Sequence, residues 1–414
     1  MTASNINKAI MCIIVFVLSV FTPTISLAYL DKSDSFHGII NFGDPNSDAF
    51  KKDFYQLEKP NVANRVVTIT QFGDSHSAAD FFTGELRTLL QAKYGNAGIG
   101  WVTPMSVAGQ YHSLIAWKSS NWLLFSSRNT NDRDFPMGGY IAEPSRNNGY
   151  IQVLPKNVDI NDIWSVKLTI KPLNKSTKVK LFDAEKNMRQ ITFTQKSKIG
   201  KWQISPIKIT APFTIKVNKG EAELGGIWLQ RYQQSGVIVS MIGTNGAKQS
   251  IWQKWSPNWY TELAMTKSNM VILEYGTNEA FDPNLDLTEY RHNLIQNIKK
   301  IRKALPRAVV LVMSSPDTML KGEQSDNVNN RKPVNYYHIR QIQQEVAKQE
   351  KTLYWDWQMA MGGDGIIEKW LYLDLARPDL IHLTKQGYIE SAKIFYQDLL
   401  VFTQASKNKI SNIR

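Results

Sequence analysis

Five apolar, β-branched runs constrain this chain most: Val66 to Thr70, Val237 to Met241, Val271 to Tyr275, Ala308 to Met313 and Thr352 to Trp355. Helical patterns accompany them. Phe82, Leu86, Leu89 and Leu90 recur at helical spacing, as do Leu287, Tyr290, Leu294, Ile298, Ile301 and Leu305, which Pro306 stops. Tyr388, Ala392, Phe395 and Leu399 make a further helical face. Near-continuous apolar strands alternating with amphipathic helices predict a parallel sheet covered on both sides, a three-layer α/β/α domain. The rhythm breaks between 109 and 235. There Val166–Ile170, Val179–Phe182, Phe213–Val217 and Ile227–Leu229 alternate inward and outward, separated by turn residues such as Asn174, Asn187 and Gly220. This predicts an all-β sandwich at 109–235, inserted between the two parts of the α/β domain at 29–108 and 236–405, with a tail at 406–414. Trp117, Trp122, Trp164 and Trp202 are expected exposed aromatics of the insertion that can stack on sugar rings, or else core.

Residues 1–28 read separately from the fold. Lys8 precedes an apolar run from Ile10 to Val20, and Ser26-Leu27-Ala28 offers a small-residue cleavage site, the pattern of an export signal. The run is short for a membrane span, which favours a cleaved signal over the alternative of an N-terminal membrane anchor, and no integral membrane segment is expected after cleavage. The one cysteine, Cys12, lies inside this segment. A mature chain without cysteine excludes disulfides, thiolate catalysis and cysteine-ligated metal. Because Lys8 is the only charge lost, the net charge of +13 falls to about +12. Such a surface favours anionic partners, but export and the lack of a dense basic run interleaved with aromatics argue against nucleic acid.

Four short motifs carry possible chemistry. Gly73-Asp74-Ser75-His76-Ser77 follows the first strand, a position from which a turn lifts a serine hydroxyl above the sheet edge. By itself that serine reads equally as a helix cap. Asp379-Leu380-Ile381-His382 places a carboxylate within reach of an imidazole, where it can fix the tautomer that takes a serine proton. By itself this reads as a local loop-to-helix hydrogen bond. Gly276-Thr277-Asn278-Glu279-Ala280 and Gly243-Thr244-Asn245-Gly246-Ala247 follow two further strands, so an asparagine amide and a glycine N–H can face a developing oxyanion. Three of the four sit at strand carboxyl ends, the edge where open α/β sheets bind ligands.

With these motifs the chain resembles the SGNH, or GDSL, hydrolase superfamily. Longer phrases make it similar to one branch, the Ape-type peptidoglycan O-acetylesterases of Gram-negative bacteria. They are Phe72-Gly-Asp-Ser-His with Phe81-Phe-Thr-Gly84, Tyr94-Gly through Gly98-Ile-Gly-Trp101, and Asp134-Phe-Pro-Met-Gly-Gly139. Gly243–Ala247, Tyr275-Gly-Thr-Asn-Glu-Ala-Phe281 and Trp355-Asp-Trp-Gln-Met-Ala-Met-Gly-Gly363 complete them.

The resemblance implies Ser75 as nucleophile, His382 as general base then acid, and Asp379 as its orienter. It implies an oxyanion hole from the backbone N–H of Ser75 and of Gly246 with the Asn278 side chain, Gly246 being preferred to Gly243. It also implies a carbohydrate-binding-like β module, a periplasmic location and O-acetylated peptidoglycan glycan strands as partner. No cofactor is expected, and no metal, since His-Glu-x-x-His and clustered ligand spacing are missing from the sequence. The expected reaction is hydrolysis of the acetyl ester on the C6 hydroxyl of N-acetylmuramic acid through an acetyl-serine. The alternatives are an O-acetyltransferase, an esterase for another O-acetylated polysaccharide, and a non-catalytic wall-glycan-binding protein.

Overall fold

The computed structural model describes residues 38–59, 63–193, 198–322 and 327–404; the expected export signal lies outside them. The central sheet runs in the order Ile40–Asn41, Leu353–Trp355, Val309–Met313, Met270–Glu274, Val66–Gly73, Gly236–Gly243. All five strands read from the sequence are there and pair in parallel. The two-residue edge strand Ile40–Asn41 was not legible, and it pairs antiparallel with Leu353–Trp355.

Strand alternation sorts the apolar residues onto two faces. Val67, Ile69, Val237, Val239, Met270, Ile272, Val309 and Leu311 bury against helices Ser47–Leu57, Phe81–Tyr94 and Lys385–Gln404. The intervening Ile238, Val271, Leu273, Val310 and Val312 pack against Trp259 and Leu263 of Trp259–Thr266, Leu294, Ile298 and Ile301 of Leu287–Ala304, and Val346 of Tyr336–Gln349. Each central strand is therefore apolar on both sides, which is why its sequence runs nearly unbroken. Among the described residues no helix is long and apolar enough to cross a membrane.

Two antiparallel sheets form the sandwich. One runs Met188–Thr192, Lys178–Phe182, Phe213–Lys216, Tyr150–Pro155, Ile115–Ser120; the other runs Gln203–Thr210, Ile163–Pro172, Ala222–Arg231, Tyr140–Pro144, Trp122–Ser126. Ile151, Val153, Leu181 and Ile215 of the first meet Val166, Leu168, Ile170 and Leu224 of the second in a shared core. Trp164 and Trp122 belong to this core, at 1% and 7% exposed, so neither is a sugar-stacking platform. Trp202 is half-buried, its indole N–H donating to Asp134 O at 2.7 Å, and Trp117 is half-buried as well.

The antiparallel pairing of the sandwich sheets begins at Gly98–Val102, upstream of residue 109. This strand pairs with Ala222–Arg231 while its Trp101 N–H donates to Ser240 Oγ of the parallel sheet at 2.9 Å. Gly100, at φ +93°, permits that approach: a Cβ there would sit 2.5 Å from the Ser240 Cβ.

A buried carboxyl also spans the junction. Glu262 accepts from Met137 N–H and Thr169 Oγ1, both at 3.3 Å. Burial pushes its pKa up to about 8; these donors oppose the rise and Asp134 adds to it. The unfolded chain ionises this group near 4.5. The folded state therefore holds an extra proton between those values, and stability falls as pH rises across that window. Glu262→Gln is expected to lack this component. Its stability relative to wild type should climb between pH 5 and pH 8, by up to about 1.4 kcal/mol per unit, read by denaturant unfolding at a series of pH values.

Candidate active site

Strand Val66–Gly73 ends where its register places Gly73 beside Glu274. Glycine is required at this turn, because a Cβ on Gly73 would lie 2.1 Å from Ser77 Oγ and 2.4 Å from Glu274 Oε2. The chain then enters the short helix Ser75–Ala78. Asp74 caps it, with Oδ1 accepting the His76 N–H at 2.9 Å. Ser75 is thereby held half-buried at the carboxyl edge of the sheet.

The Asp379–His382 turn comes from the other end of the chain. Asp379 Oδ1 accepts the N–H groups of Ile381 and His382, each at 2.9 Å. Leu380 adopts φ +56° between them, held because its N–H donates to Arg377 O and its carbonyl accepts from Met319 N–H. The turn presents His382 Nδ1 2.9 Å from Asp379 Oδ2 and His382 Nε2 3.0 Å from Ser75 Oγ. A continuous line from carboxylate to imidazole to hydroxyl results, in the geometry that lets a serine lose its proton as it attacks. Partial burial disfavours the Asp379 carboxylate. The two backbone N–H groups and the imidazole outweigh that and hold its pKa below the usual range.

The other two motifs converge on the same edge. Thr244 N–H donates to Gly73 O at 3.1 Å, tying the Gly243–Ala247 loop to the serine turn. Gly246 takes φ +67° in that loop. Among the described residues no hydrogen bond engages the backbone N–H of Ser75 or of Gly246. Asn278, on the short helix Thr277–Ala280, differs: its amide donates to Asp74 Oδ2 at 3.1 Å and to Ala247 O at 3.0 Å. Both amide hydrogens have partners, so one must be released before Asn278 can donate to an oxyanion.

Some of the surroundings were not legible as site residues. Asp74, Glu274 and Glu279 form a buried carboxyl cluster behind the serine turn. Burial pushes all three up; mutual repulsion adds to the shift of Asp74 and Glu274. Each flanks a motif residue or ends a strand, and only the parallel register brings them together. His76, part of the serine motif itself, lines the site beside them. Its Nδ1 lies 2.8 Å from Tyr388 Oη, and its ring packs 5.4 Å from that of His382. Burial, with the neighbouring His382 charge, lowers its pKa to about 3. His76 thus stays neutral and supports the His382 ring without competing for the serine proton. Among the described residues no group of His, Cys, Asp and Glu is gathered as a metal ion would need.

A three-layer α/β sheet with Ser, His and Asp joined at its carboxyl edge defines a serine hydrolase of the SGNH, or GDSL, type. Residues 210–388 match the GDSL-like lipase/acylhydrolase family, and residues 97–214 match the peptidoglycan O-acetylesterase N-terminal family. A solved structure of a peptidoglycan O-acetylesterase is 30% identical, with a TM-score of 0.79 over 89% of this chain and 99% of its own. The chain belongs to the peptidoglycan O-acetylesterase family. A family two carbohydrate esterase from Cellvibrio japonicus is much more distant. It is 9% identical with a TM-score of 0.28, over 70% of this chain and 99% of its own. A search of curated proteins finds no match.

Proposed function

We propose that this protein is an exported peptidoglycan O-acetylesterase, with Ser75, His382 and Asp379 as its catalytic triad. Ser75 Oγ attacks the carbonyl carbon of an acetyl ester at the C6 oxygen of N-acetylmuramic acid, and its proton passes to His382 Nε2. Asp379 stabilises the imidazolium and keeps Nδ1 as its donor. The backbone N–H groups of Ser75 and Gly246 take the developing oxyanion, joined by Asn278 once its bond to Ala247 O is exchanged. His382 then protonates the departing sugar oxygen, leaving acetyl-Ser75 and a free C6 hydroxyl. Water, deprotonated by the same imidazole, releases acetate and restores the serine.

Residues 109–235 are assigned to a β module inserted between the halves 29–108 and 236–405. Residues 1–28 are assigned to a cleaved export signal delivering the enzyme to the periplasm. The observation that carries this reading is the unbroken Asp379–His382–Ser75 line in a chain of this family. It is tested by comparing kcat/KM for acetate release from O-acetylated peptidoglycan and from acetylated xylan. Preference for peptidoglycan supports the assignment; release from xylan alone, or transfer of acetyl to a glycan without free acetate, overturns it.

A further inference from the structure

The turn after strand Trp122–Ser126 of the sandwich carries Arg128, whose exposed side chain reaches across to the loop of Gly246. A Cβ on Gly246 would lie 2.8 Å from Arg128 Nη2, 3.0 Å from Cζ and 3.4 Å from Nε. The guanidinium edge therefore rests against Gly246 on the side where a side chain would project, which is not the direction of its N–H. Glycine at this position serves two ends: it takes φ +67° and leaves room for the cation.

This contact is part of a wider seam. Gln110 Nε2 donates to Tyr140 Oη at 2.6 Å and to Gly243 O at 3.1 Å, and Asn245 Nδ2 donates to Gly109 O at 2.8 Å. Further along, Ser113 N–H and Oγ donate to the buried Asp80, which Arg87 also holds. The sandwich side of the molecule is thus fastened to the oxyanion loop, and it delivers a positive charge there.

Among the described residues Arg128 itself lacks a counter-charge. The half-buried arginines of the insertion are each paired, Arg133 with Glu143 at 2.8 Å and Arg231 with Asp162 at 2.7 Å. Among the described residues Arg128 has neither an ion pair nor a side-chain hydrogen bond. Five N–H donors in a planar fork match a carboxylate better than any neutral sugar group. A muramoyl unit carries its carboxyl function on the lactyl arm of the same ring that bears the C6 ester, either free or extended into a peptide stem that bears carboxylates of its own.

We propose that Arg128 is a specificity-determining residue that binds a carboxylate of the muramoyl unit whose ester is cut. This rests on the substrate class assigned above. Loss of one charge-assisted bond predicts that Arg128→Gln lowers kcat/KM on O-acetylated peptidoglycan by roughly 10- to 100-fold more than on neutral p-nitrophenyl acetate. Arg128→Lys, which keeps the charge but not the fork, should fall in between. Coupling the glycan carboxylates to a neutral amine should slow the wild type and erase its advantage over Arg128→Gln. A difference confined to stem-bearing strands assigns the carboxylate to the stem. A difference confined to strands stripped by an amidase assigns it to the lactyl arm. Equal losses on peptidoglycan and on p-nitrophenyl acetate would make Arg128 part of the oxyanion machinery and overturn the proposal. An unchanged Arg128→Gln beside an active wild type would overturn it while sparing the substrate assignment. A wild type that hydrolyses p-nitrophenyl acetate but releases nothing from peptidoglycan would overturn both.

Discussion

Ser75→Ala is expected to lower kcat for acetate release by on the order of 10⁴-fold or more, the range seen when a serine hydrolase loses its nucleophile. The size follows from chemistry rather than from folding. Ser75 Oγ has one hydrogen-bond partner among the described residues, His382 Nε2, and the capping of Ser75–Ala78 comes from Asp74. Removing the hydroxyl leaves the turn, the imidazole and the oxyanion N–H groups in place, but with nothing for the acetyl group to join. KM should change little, because the Ser75 hydroxyl acts in the reaction rather than in holding the glycan. Steady-state acetate assays with an unchanged thermal transition check both parts. A residual rate within tenfold of wild type would move the nucleophile elsewhere.

Asp379→Asn is the second large effect, expected at about 10³-fold in kcat. Asparagine keeps Oδ1 for the N–H groups of Ile381 and His382, so the loop and its Leu380 conformation should persist. The second atom changes from acceptor to donor. Facing His382 Nδ1, an amide N–H would favour the tautomer with the proton on Nε2, which cannot accept the serine proton. The fold-change sits below that of Ser75→Ala because the Asp379 side chain is 43% exposed and solvent can substitute for part of its charge. Wild-type Asp379 has its pKa held below the ordinary value, so it stays ionised at pH 5 and above. The asparagine variant should therefore remain impaired across pH 5 to 8. Recovery to wild-type rate within that range would contradict the orienting role.

Local pattern carried most of this fold. The strands from Val66, Val237, Val271, Ala308 and Thr352 were legible because burial on both faces leaves an unbroken apolar run. Asp379, His382 and Ser75 were picked out by a three-residue spacing and by a turn after a β-branched strand, each ambiguous by itself, and the resemblance to a hydrolase superfamily supplied their roles. What depended on register was hidden. Glu274 reaches Gly73 only through strand pairing, and Arg128 reaches Gly246 only once a sandwich turn is folded back over the sheet. Trp164 and Trp122 look alike in sequence whether they face solvent or core; the facing sheet decided them. The edge strand Ile40–Asn41 was too short to show any period. Asn278 was found by position, but its bonds to Asp74 and Ala247 come from loops that no local pattern connects.

The most direct test is muropeptide mass spectrometry of O-acetylated peptidoglycan before and after incubation with the enzyme, with Ser75→Ala as control. Muramoyl fragments are expected to lose the mass of their C6 acetyl group, with free acetate appearing in equal amount, only in the presence of wild-type protein. Muramoyl fragments that keep their C6 acetyl groups while wild-type protein hydrolyses other acetyl esters would contradict it.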